Sequence, residues 1–449
     1  MSAFELNEDQ KRCLERSSAI LGDHDPSVAI IRGYAGTGKS TMMAQLHQRA
    51  VEQGFKTRFL APTNSAAMNL HDRIGMSCDT IHQAIYKPMQ KGDLVVFEPK
   101  MEVVQEKVLW LVDEASMVPN RMGGQAGFQT PTTVLRDLIA HGKRHAKVCK
   151  MVFVGDLFQL PPVNEEQSDA LSPEVMAELW GEGAGVVTSE LSQVMRQKDD
   201  SPIRDMTTRC IDLMRGGASY DWKSSATQVG MPKEYRVENA ITATASDAPE
   251  HPILQTVSIV FSNKEANFMN QGVRNIMDRE DGVLSTGDHL VTDKASMIEG
   301  VVIPKGTRLY VTDVDESVHK WGGCRFQGVE MVTELSKDPV RSLVNLDVLF
   351  SEKGLIGPDA EKKLKEEAMR TNPKYREYQN SVNDEHMNAI RARFGYAMTA
   401  HKAQGREFET VFVKPIWMRR NPHFQNWQWF YTAMTRAKSS VSAINFYAA

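Results

Sequence analysis

The sequence predicts an α/β protein built on parallel sheets, and three observations carry that prediction. Four short apolar runs fall in the first part of the chain: "VAIIRG" (28–33), "TRFLAP" (57–62), "VLWLVDE" (108–114) and "CKMVFVGD" (149–156). They are continuous rather than alternating, as strands covered on both faces require. The first run leads into a glycine-rich turn, "GYAGTGKST" (33–41), and then a helix-permissive stretch from Lys39 to about Gln53 that stops at Gly54, a residue suited to the C′ position. A second set of runs returns late in the chain: "TVSIVFSN" (256–263), "ETVFVKP" (409–415) and "SSVSAINFY" (439–447). In such a layout ligands sit at the carboxyl ends of the strands.

Three pieces lie outside the alternating pattern. Between "TIHQAIY" (80–86) and "VLWLVDE", the stretch "MQKGDLVVFEPKMEV" has an apolar centre flanked by Lys-Gly-Asp and Pro, which predicts a small β-hairpin insertion. Residues 287–350 hold short strand-like runs with turn residues, such as "VVIPKGTRLYVTD" and "SLVNLDVLF", and predict a small β-barrel. Residues 358–394 are highly charged and helix-permissive ("DAEKKLKEEAMR"), with Pro373 as a break. There is no short-period repeat and no low-complexity tract.

The totals narrow the function classes. The chain has 449 residues, 41% hydrophobic and 24% charged, which suits a protein of several domains. Its formal net charge is −4, so binding to nucleic acid must be local to a groove rather than spread over a basic surface. The five cysteines, Cys13, Cys78, Cys149, Cys210 and Cys324, are far apart and form no CxxC pair. That argues against a zinc ribbon or a disulfide framework and fits a reducing compartment. No apolar run approaches the ~18 residues of a membrane span, and the polar start of the chain lacks an apolar signal core. The expectation is a cytoplasmic protein.

Three stretches carry chemistry. "GYAGTGKST" matches G-x-x-x-x-G-K-[ST] in its required context, after a strand and opening a helix. Gly33, Ala35, Gly36, Thr37, Gly38, Ser40 and Thr41 let backbone N–H groups wrap phosphates at a helix N-terminus. Lys39 adds charge at the β- and γ-phosphates, and Ser40 can ligate Mg²⁺. "LVDEAS" ends a buried run with paired carboxylates: Asp113 would hold Mg²⁺, directly or through water, and Glu114 would polarise an attacking water. "VGDLFQLPPV" places Asp156 and Gln159 just past another strand. Gln159 either senses the γ-phosphate or attacking water, since an amide donates and accepts, or belongs to an ordinary turn braced by Pro161 and Pro162.

With these blocks in view, a resemblance emerges. "APTNSAA" (61–67), "DTIH" (79–82), "GDLFQLPP" (155–162), "LSQVMRQ" (191–197), "AMTAHKAQGREF" (397–408) and "YTAMTRAK" (431–438) follow the order of the superfamily 1 helicase motifs. The chain resembles the RecD-like branch, and within it the phage Dda helicases. The blocks run from Gln10 to Lys438.

That resemblance implies the finer assignments. Gln10 in "LNEDQ" looks like the family's adenine-reading glutamine; the alternative is an exposed helix start. Arg196 in "LSQVMRQ" and Arg436 in "TRAK" look like the two arginines that reach the γ-phosphate, for which a planar, always-charged fork is suited. Glu407 matches a position that contacts the nucleotide sugar in some relatives. Thr63, Asn64, Thr80, His82, Thr399 and His401 fall on the nucleic-acid side, with groups that contact phosphate and sugar. Thr80 can equally cap the "IHQAIY" helix, and His82 can equally be a satisfied buried histidine. Phe97, in the expected hairpin, stands where a strand-separating pin would stack a ring on a base, or else packs within the hairpin. "WMRRNPHFQNWQWFYTAMTR" interleaves aromatic and basic residues, and we expect Trp427, Phe430 and Tyr431 to pack inward.

The implied fold is α/β: two RecA-like P-loop NTPase domains, a small β-hairpin insertion in the first, and an SH3-like β plus helical insertion in the second. The expected boundaries are 1–185 for the first domain with the hairpin at about 84–106, then 186–285 with 396–449 for the second, and 286–395 for the barrel and a tower-like extension. The implied function is an ATP-dependent DNA helicase moving 5′-to-3′ on a single strand, with a single-strand translocase or remodeller and an RNA helicase as alternatives. ATP and Mg²⁺ are the implied cofactors. Single-stranded and forked duplex DNA are the implied partners, single-strand-binding or replication proteins are candidates, and a monomer is expected. For a phage-encoded chain the compartment is the host cytoplasm.

Overall fold

The computed structural model describes residues 6–22, 27–91, 94–122, 128–181, 184–193, 202–219, 228–231, 235–250, 253–298, 301–414 and 423–445. The chain divides into two compact units, Met1–Arg204 and Asp205–Ala449.

The first unit is built on a six-stranded parallel sheet in the order Cys78–Thr80, Phe55–Ala61, Val104–Val112, Ala146–Gly155, Val28–Gly33, Val186–Leu191. Its central strands are covered on both faces, which is why they read as continuous apolar runs. Along Val28–Gly33 the side chains alternate between two cores. Ala29 and Ile31 pack with Met42, Met43 and Leu46, whereas Val28 and Ile30 pack with Leu135 and Leu138. The last strand corrects one expectation. Val186–Leu191, assigned by sequence to the second domain, pairs along Val28–Gly33 and closes the edge of the first sheet. Its residues range from buried to exposed and are mixed in polarity, so it lacks the apolar signature of its neighbours.

Tyr86–Lys91 pairs antiparallel with Leu94–Pro99 in a hairpin. Phe128–Gln129 adds a short third strand. The base is fixed by the Tyr86 hydroxyl donating to Asp137 Oδ2 (2.6 Å), and by Lys100, whose N–H and Nζ donate to the carbonyls of Ile85 (2.8 Å) and Gln83 (2.7 Å).

The second unit contains a five-stranded parallel sheet in the order Tyr235–Arg236, Ala437–Asn445, Phe408–Val413, Thr256–Val260, Ala397–Thr399. Between the last two strands in this order, the chain builds a five-stranded antiparallel sheet: Ser336–Asn345, Cys324–Thr333, Arg308–Trp321, His289–Thr292 and Ala392–Phe394. Its strands are longer than the short runs read from sequence, because Arg308–Trp321 and Cys324–Thr333 form one long irregular hairpin. The charged segment forms helices Pro358–Thr371 and Pro373–Tyr378, and Pro373 occupies the first turn of the second, where its missing N–H is harmless. Helix Asn263–Ile276 ties the two sheets together. Its fully buried Arg274 pairs with Asp288, which also accepts from the Tyr396 hydroxyl at 2.9 Å. Trp427, Phe430 and Tyr431 are fully buried in helix His423–Met434. The five cysteines are free thiols, and among the described residues no helix is long and apolar enough to cross a membrane.

Candidate active site

In the first unit the glycine-rich turn sits at the carboxyl end of Val28–Gly33. Gly36 and Gly38 take left-handed φ values of 82° and 89°, which admit glycine without strain. A Cβ on Gly38 would stand 2.4 Å from Gln10 Nε2, so the glutamine side chain would have to move away from the loop. Gly33 is constrained too, since its Cβ would lie 2.7 Å from Thr37 Oγ1. Thr37 is buried and closes the loop on itself, its N–H (3.3 Å) and hydroxyl (2.9 Å) both donating to the Tyr34 carbonyl. Helix Lys39–Glu52 starts without a side-chain cap and without an acid in its first turn. The N–H groups of that turn, those of Ser40 and Thr41 among them, are therefore left to an anion. Lys39 Nζ donates to the carbonyls of Gly33 and Tyr34, each at 2.9 Å.

Gln10 reaches this loop from helix Glu8–Ser18. It is 1% exposed, so the exposed-helix-start alternative does not hold. Its Oε1 accepts from the Asn7 N–H (3.2 Å) in a capping box, and its Nε2 donates to the Thr37 carbonyl (3.3 Å).

Asp113 and Glu114 follow strand Val104–Val112. Asp113 is 5% exposed, and its N–H donates to the Leu60 carbonyl at 2.8 Å. Burial, then the neighbouring Glu114 carboxylate, push its pKa above the usual range, while Lys39 and Arg73 oppose the rise. Glu114 holds a left-handed backbone (φ 48°, ψ 39°), unusual for a side chain of its size. Its Oε2 is buried with no hydrogen-bond partner. A buried, unpartnered carboxylate oxygen on a left-handed backbone costs stability, so Glu114 is the first candidate here for a chemical role. The set fits a magnesium nucleotide: an uncapped helix N-terminus, glycines where a Cβ would collide, a hydroxyl and a buried carboxylate to hold the metal, and a second carboxylate with an open oxygen.

Strand Ala146–Gly155 delivers Asp156 and Gln159, both buried. Asp156 shapes the turn by accepting from the Phe158 N–H (3.0 Å) and the Gln159 N–H (3.3 Å). Phe158 packs its ring on Tyr34 with centroids 5.4 Å apart, which joins this loop to the glycine-rich turn.

Two residues of this site escaped the sequence reading. Arg73, at the end of helix Asn64–Ile74, places Nη1 3.5 Å from Ser40 Oγ, and its charge acts on Asp113. Asp9 accepts from the Ser192 N–H (2.7 Å) and hydroxyl (3.2 Å) and from the Gln193 N–H (3.3 Å), anchoring the start of "SQVMRQ". Both contacts join residues far apart in the chain, and no local spacing announces them. Arg196 itself lies outside the described residues.

Of the nucleic-acid candidates in this unit, Thr63 caps helix Asn64–Ile74 by accepting from the Ala66 N–H (3.2 Å), and Asn64 is its first residue. Thr80 is the N-cap of Ile81–Ile85 in a full capping box with Gln83, as its structural alternative foresaw. His82 is half-buried, which lowers its pKa, and packs on Tyr86 (5.5 Å) and Phe97 (5.6 Å). Phe97 is half-buried in that trio, 5.6 Å from Tyr86.

In the second unit, Thr399 is the N-cap of Ala400–Ala403 and keeps its hydroxyl out of the cap. His401 is half-buried and burial lowers its pKa. Lys402 next to it pairs with Asp293 at 2.9 Å. Glu407 is half-buried, just before strand Phe408–Val413. Arg436 is 5% exposed. Its Nε donates to the Thr432 carbonyl (3.0 Å), Nη1 to the Arg406 carbonyl (3.4 Å) and Nη2 to Thr435 Oγ1 (3.1 Å).

Comparison with known proteins places this geometry. Residues 5–219 match the model of an AAA domain, and residues 394–444 match that of the UvrD-like helicase C-terminal domain. An ATP-dependent RecD2 DNA helicase of Deinococcus radiodurans is 29% identical over 198 residues, 44% of this chain and 23% of that protein. An uncharacterised protein of Methanocaldococcus jannaschii is 29% identical over 170 residues, 35% of this chain and 13% of its own length. The chain thus spans under a quarter of either relative. A Pif1 helicase from Bacteroides, in complex with ADP-AlF3 and single-stranded DNA, has the same fold with a TM-score of 0.52 at 14% identity, covering 99% of this chain and 94% of that one. A structure of two coordinating Pif1 helicases at forked duplex DNA gives a TM-score of 0.51 at 14% identity, covering 99% and 93%.

Proposed function

We propose that this chain is a RecD-like superfamily 1 helicase, an ATP-dependent DNA helicase that translocates on single-stranded DNA. The observation that carries the catalytic part is the glycine-rich turn with its uncapped helix N-terminus, set beside a buried Asp113 and an orphaned Glu114 oxygen. The phosphates of ATP take the free N–H groups of the turn, and Lys39 exchanges the carbonyls of Gly33 and Tyr34 for phosphate oxygens. Ser40 and Asp113 would hold Mg²⁺, whose charge neutralises phosphate oxygens when bound. Glu114 accepts the proton of the attacking water, a role open to its unpartnered Oε2. Gln10 lies where an amide can meet the base, Gln159 where one can meet the γ-phosphate, and Glu407 is the candidate for the sugar. Arg196 and Arg436 supply positive charge as the γ-phosphate is transferred.

Thr63, Asn64, His82, Thr399 and His401 are the candidate strand contacts, with Thr80 weighed against its cap below, and Phe97 the candidate ring at the fork. The resemblance to RecD-like and Dda helicases supports 5′-to-3′ movement. ATP binding, hydrolysis and release would bias a two-state equilibrium and so drive each step. The deciding experiment compares unwinding of 5′-tailed and 3′-tailed DNA duplexes with ATP. We expect only the 5′-tailed duplex to open. Opening of the 3′-tailed duplex alone would reverse the polarity, and single-strand-stimulated hydrolysis with both duplexes intact would make the chain a translocase instead.

A further inference from the structure

Arg406 belongs to the run "QGREF", yet its side chain leaves that segment. It is 4% exposed, and its Nη2 donates to the carbonyl of Gly306, a hundred residues earlier. Gly306 lies in the turn between strands Val301–Ile303 and Arg308–Trp321 and takes φ 85°. The turn is closed from within. The Gly306 N–H donates to the Thr292 carbonyl (2.8 Å), and the hydroxyls of Thr292 (2.7 Å) and Thr307 (2.8 Å) both donate to the Pro304 carbonyl. Arg406 therefore ends on a rigid acceptor.

The guanidinium is poorly repaid for its burial. Burial lowers its pKa to about 10, with Glu334 opposing and Arg308 adding to the fall. Glu334 is already engaged with Arg308, accepting from its Nε (2.5 Å) and its N–H (2.9 Å). Arg406 Nη1 is buried with no partner. An apolar side chain of similar volume at such a place is often neutral or stabilising, so stability alone does not call for arginine here.

The other end of Arg406 explains it better. Its carbonyl accepts from Arg436 Nη1 (3.4 Å), and two residues on, the Phe408 N–H donates to the Arg436 carbonyl (2.9 Å). One residue thus has its side chain anchored in the antiparallel sheet and its backbone against the candidate γ-phosphate arginine. We propose that Arg406 is a positioning residue for Arg436: its anchor at Gly306 fixes the peptide whose carbonyl orients the Arg436 guanidinium. The inference rests on the reading of Arg436 given above.

The test uses the full chain, with ATP turnover at saturating oligo-dT and melting followed in parallel. Arg406→Met, similar in length and uncharged, should lower kcat about tenfold, with KM for ATP within about twofold and an unchanged or higher Tm. Arg406→Lys, which keeps a charge and a donor, should recover most of the loss. Gly306→Ala leaves Arg406 in place but strains its acceptor turn, and should lower kcat without moving KM even if Arg406→Met melts early. The double variant Arg406→Met, Arg436→Ala should be no slower than Arg436→Ala alone, because the first acts only through the second. Normal kcat in both Arg406→Met and Gly306→Ala, or losses that multiply in the double variant, would overturn the positioning role while leaving Arg436 in the site. Normal kcat in Arg436→Ala would overturn both readings.

Discussion

Lys39 and Arg436 are two cations held on main-chain oxygens, and they stand at opposite ends of helices. Lys39 opens a helix, where the dipole disfavours positive charge, and it leans on two carbonyls of its own loop and on the charge of Asp113. Arg436 follows the last turn of His423–Met434, where the dipole favours it, and it is buried against the Thr432 and Arg406 carbonyls and Thr435 Oγ1. On the function proposed above, an incoming polyphosphate would relieve Lys39. Arg436 is already satisfied by the Thr432 and Arg406 carbonyls and by Thr435 Oγ1, and these bonds orient it rather than call for a new partner. On that same function, the difference predicts a division of labour: loss of Lys39 should impair binding and turnover alike, whereas loss of Arg436 should act on turnover.

The largest effect should come from Lys39→Ala. We expect ATP turnover to fall by roughly 10³-fold or more and ATP binding to weaken with it, read by phosphate release and nucleotide titration. Near-normal DNA-stimulated hydrolysis would sink the phosphate-loop reading. Arg436→Ala should lower kcat by roughly 10²–10³-fold while ATP affinity changes little. If affinity fell as far as it does in Lys39→Ala, the two cations would be doing one job and the contrast would be lost.

Glu114 sharpens the same contrast from the carboxylate side. Glu114→Gln should lower kcat by roughly 10²–10⁴-fold with the fold intact. Glu114→Gly removes both the orphaned oxygen and the left-handed strain, so it should lose turnover while its Tm rises by about 2–4 °C per kcal/mol relieved. A fall in Tm would mean that Glu114 supports the fold rather than the reaction.

The phosphate loop was legible in the sequence because its residue types are dictated locally: glycines by backbone dihedrals, a lysine and a hydroxyl by phosphate and metal. Paired carboxylates after an apolar strand were legible for the same reason. Contacts between distant segments were not. Gln10 on Thr37, Asp9 on Ser192, Arg73 beside Ser40 and Arg406 on Gly306 depend on how strands and loops close in space. The edge strand Val186–Leu191 was placed in the wrong unit because a half-buried edge needs no continuous apolar run. The parallel strands with continuous apolar runs, such as Val28–Gly33 and Ala146–Gly155, were read to within a few residues, since burial on both faces leaves little choice of side chain.

Thr80 offers the smallest and cleanest test, because two roles compete for one hydroxyl. It is 6% exposed, its Oγ1 accepts from the Gln83 N–H (3.1 Å), and the same hydroxyl donates to Gln83 Oε1 (3.1 Å). Both bonds serve the cap of the short helix at the base of the hairpin. Thr80→Ala should therefore cost about 1 kcal/mol, or about 2–4 °C in Tm for a unit of this size. Thr80→Ser keeps the hydroxyl and should restore the melting point. Oligo-dT affinity, measured on the same proteins, separates the roles. We expect Thr80→Ala to change it by less than about twofold, since a hydroxyl already satisfied in the cap has little left for a phosphate. A large loss of strand affinity without a change in Tm would instead make Thr80 a strand contact.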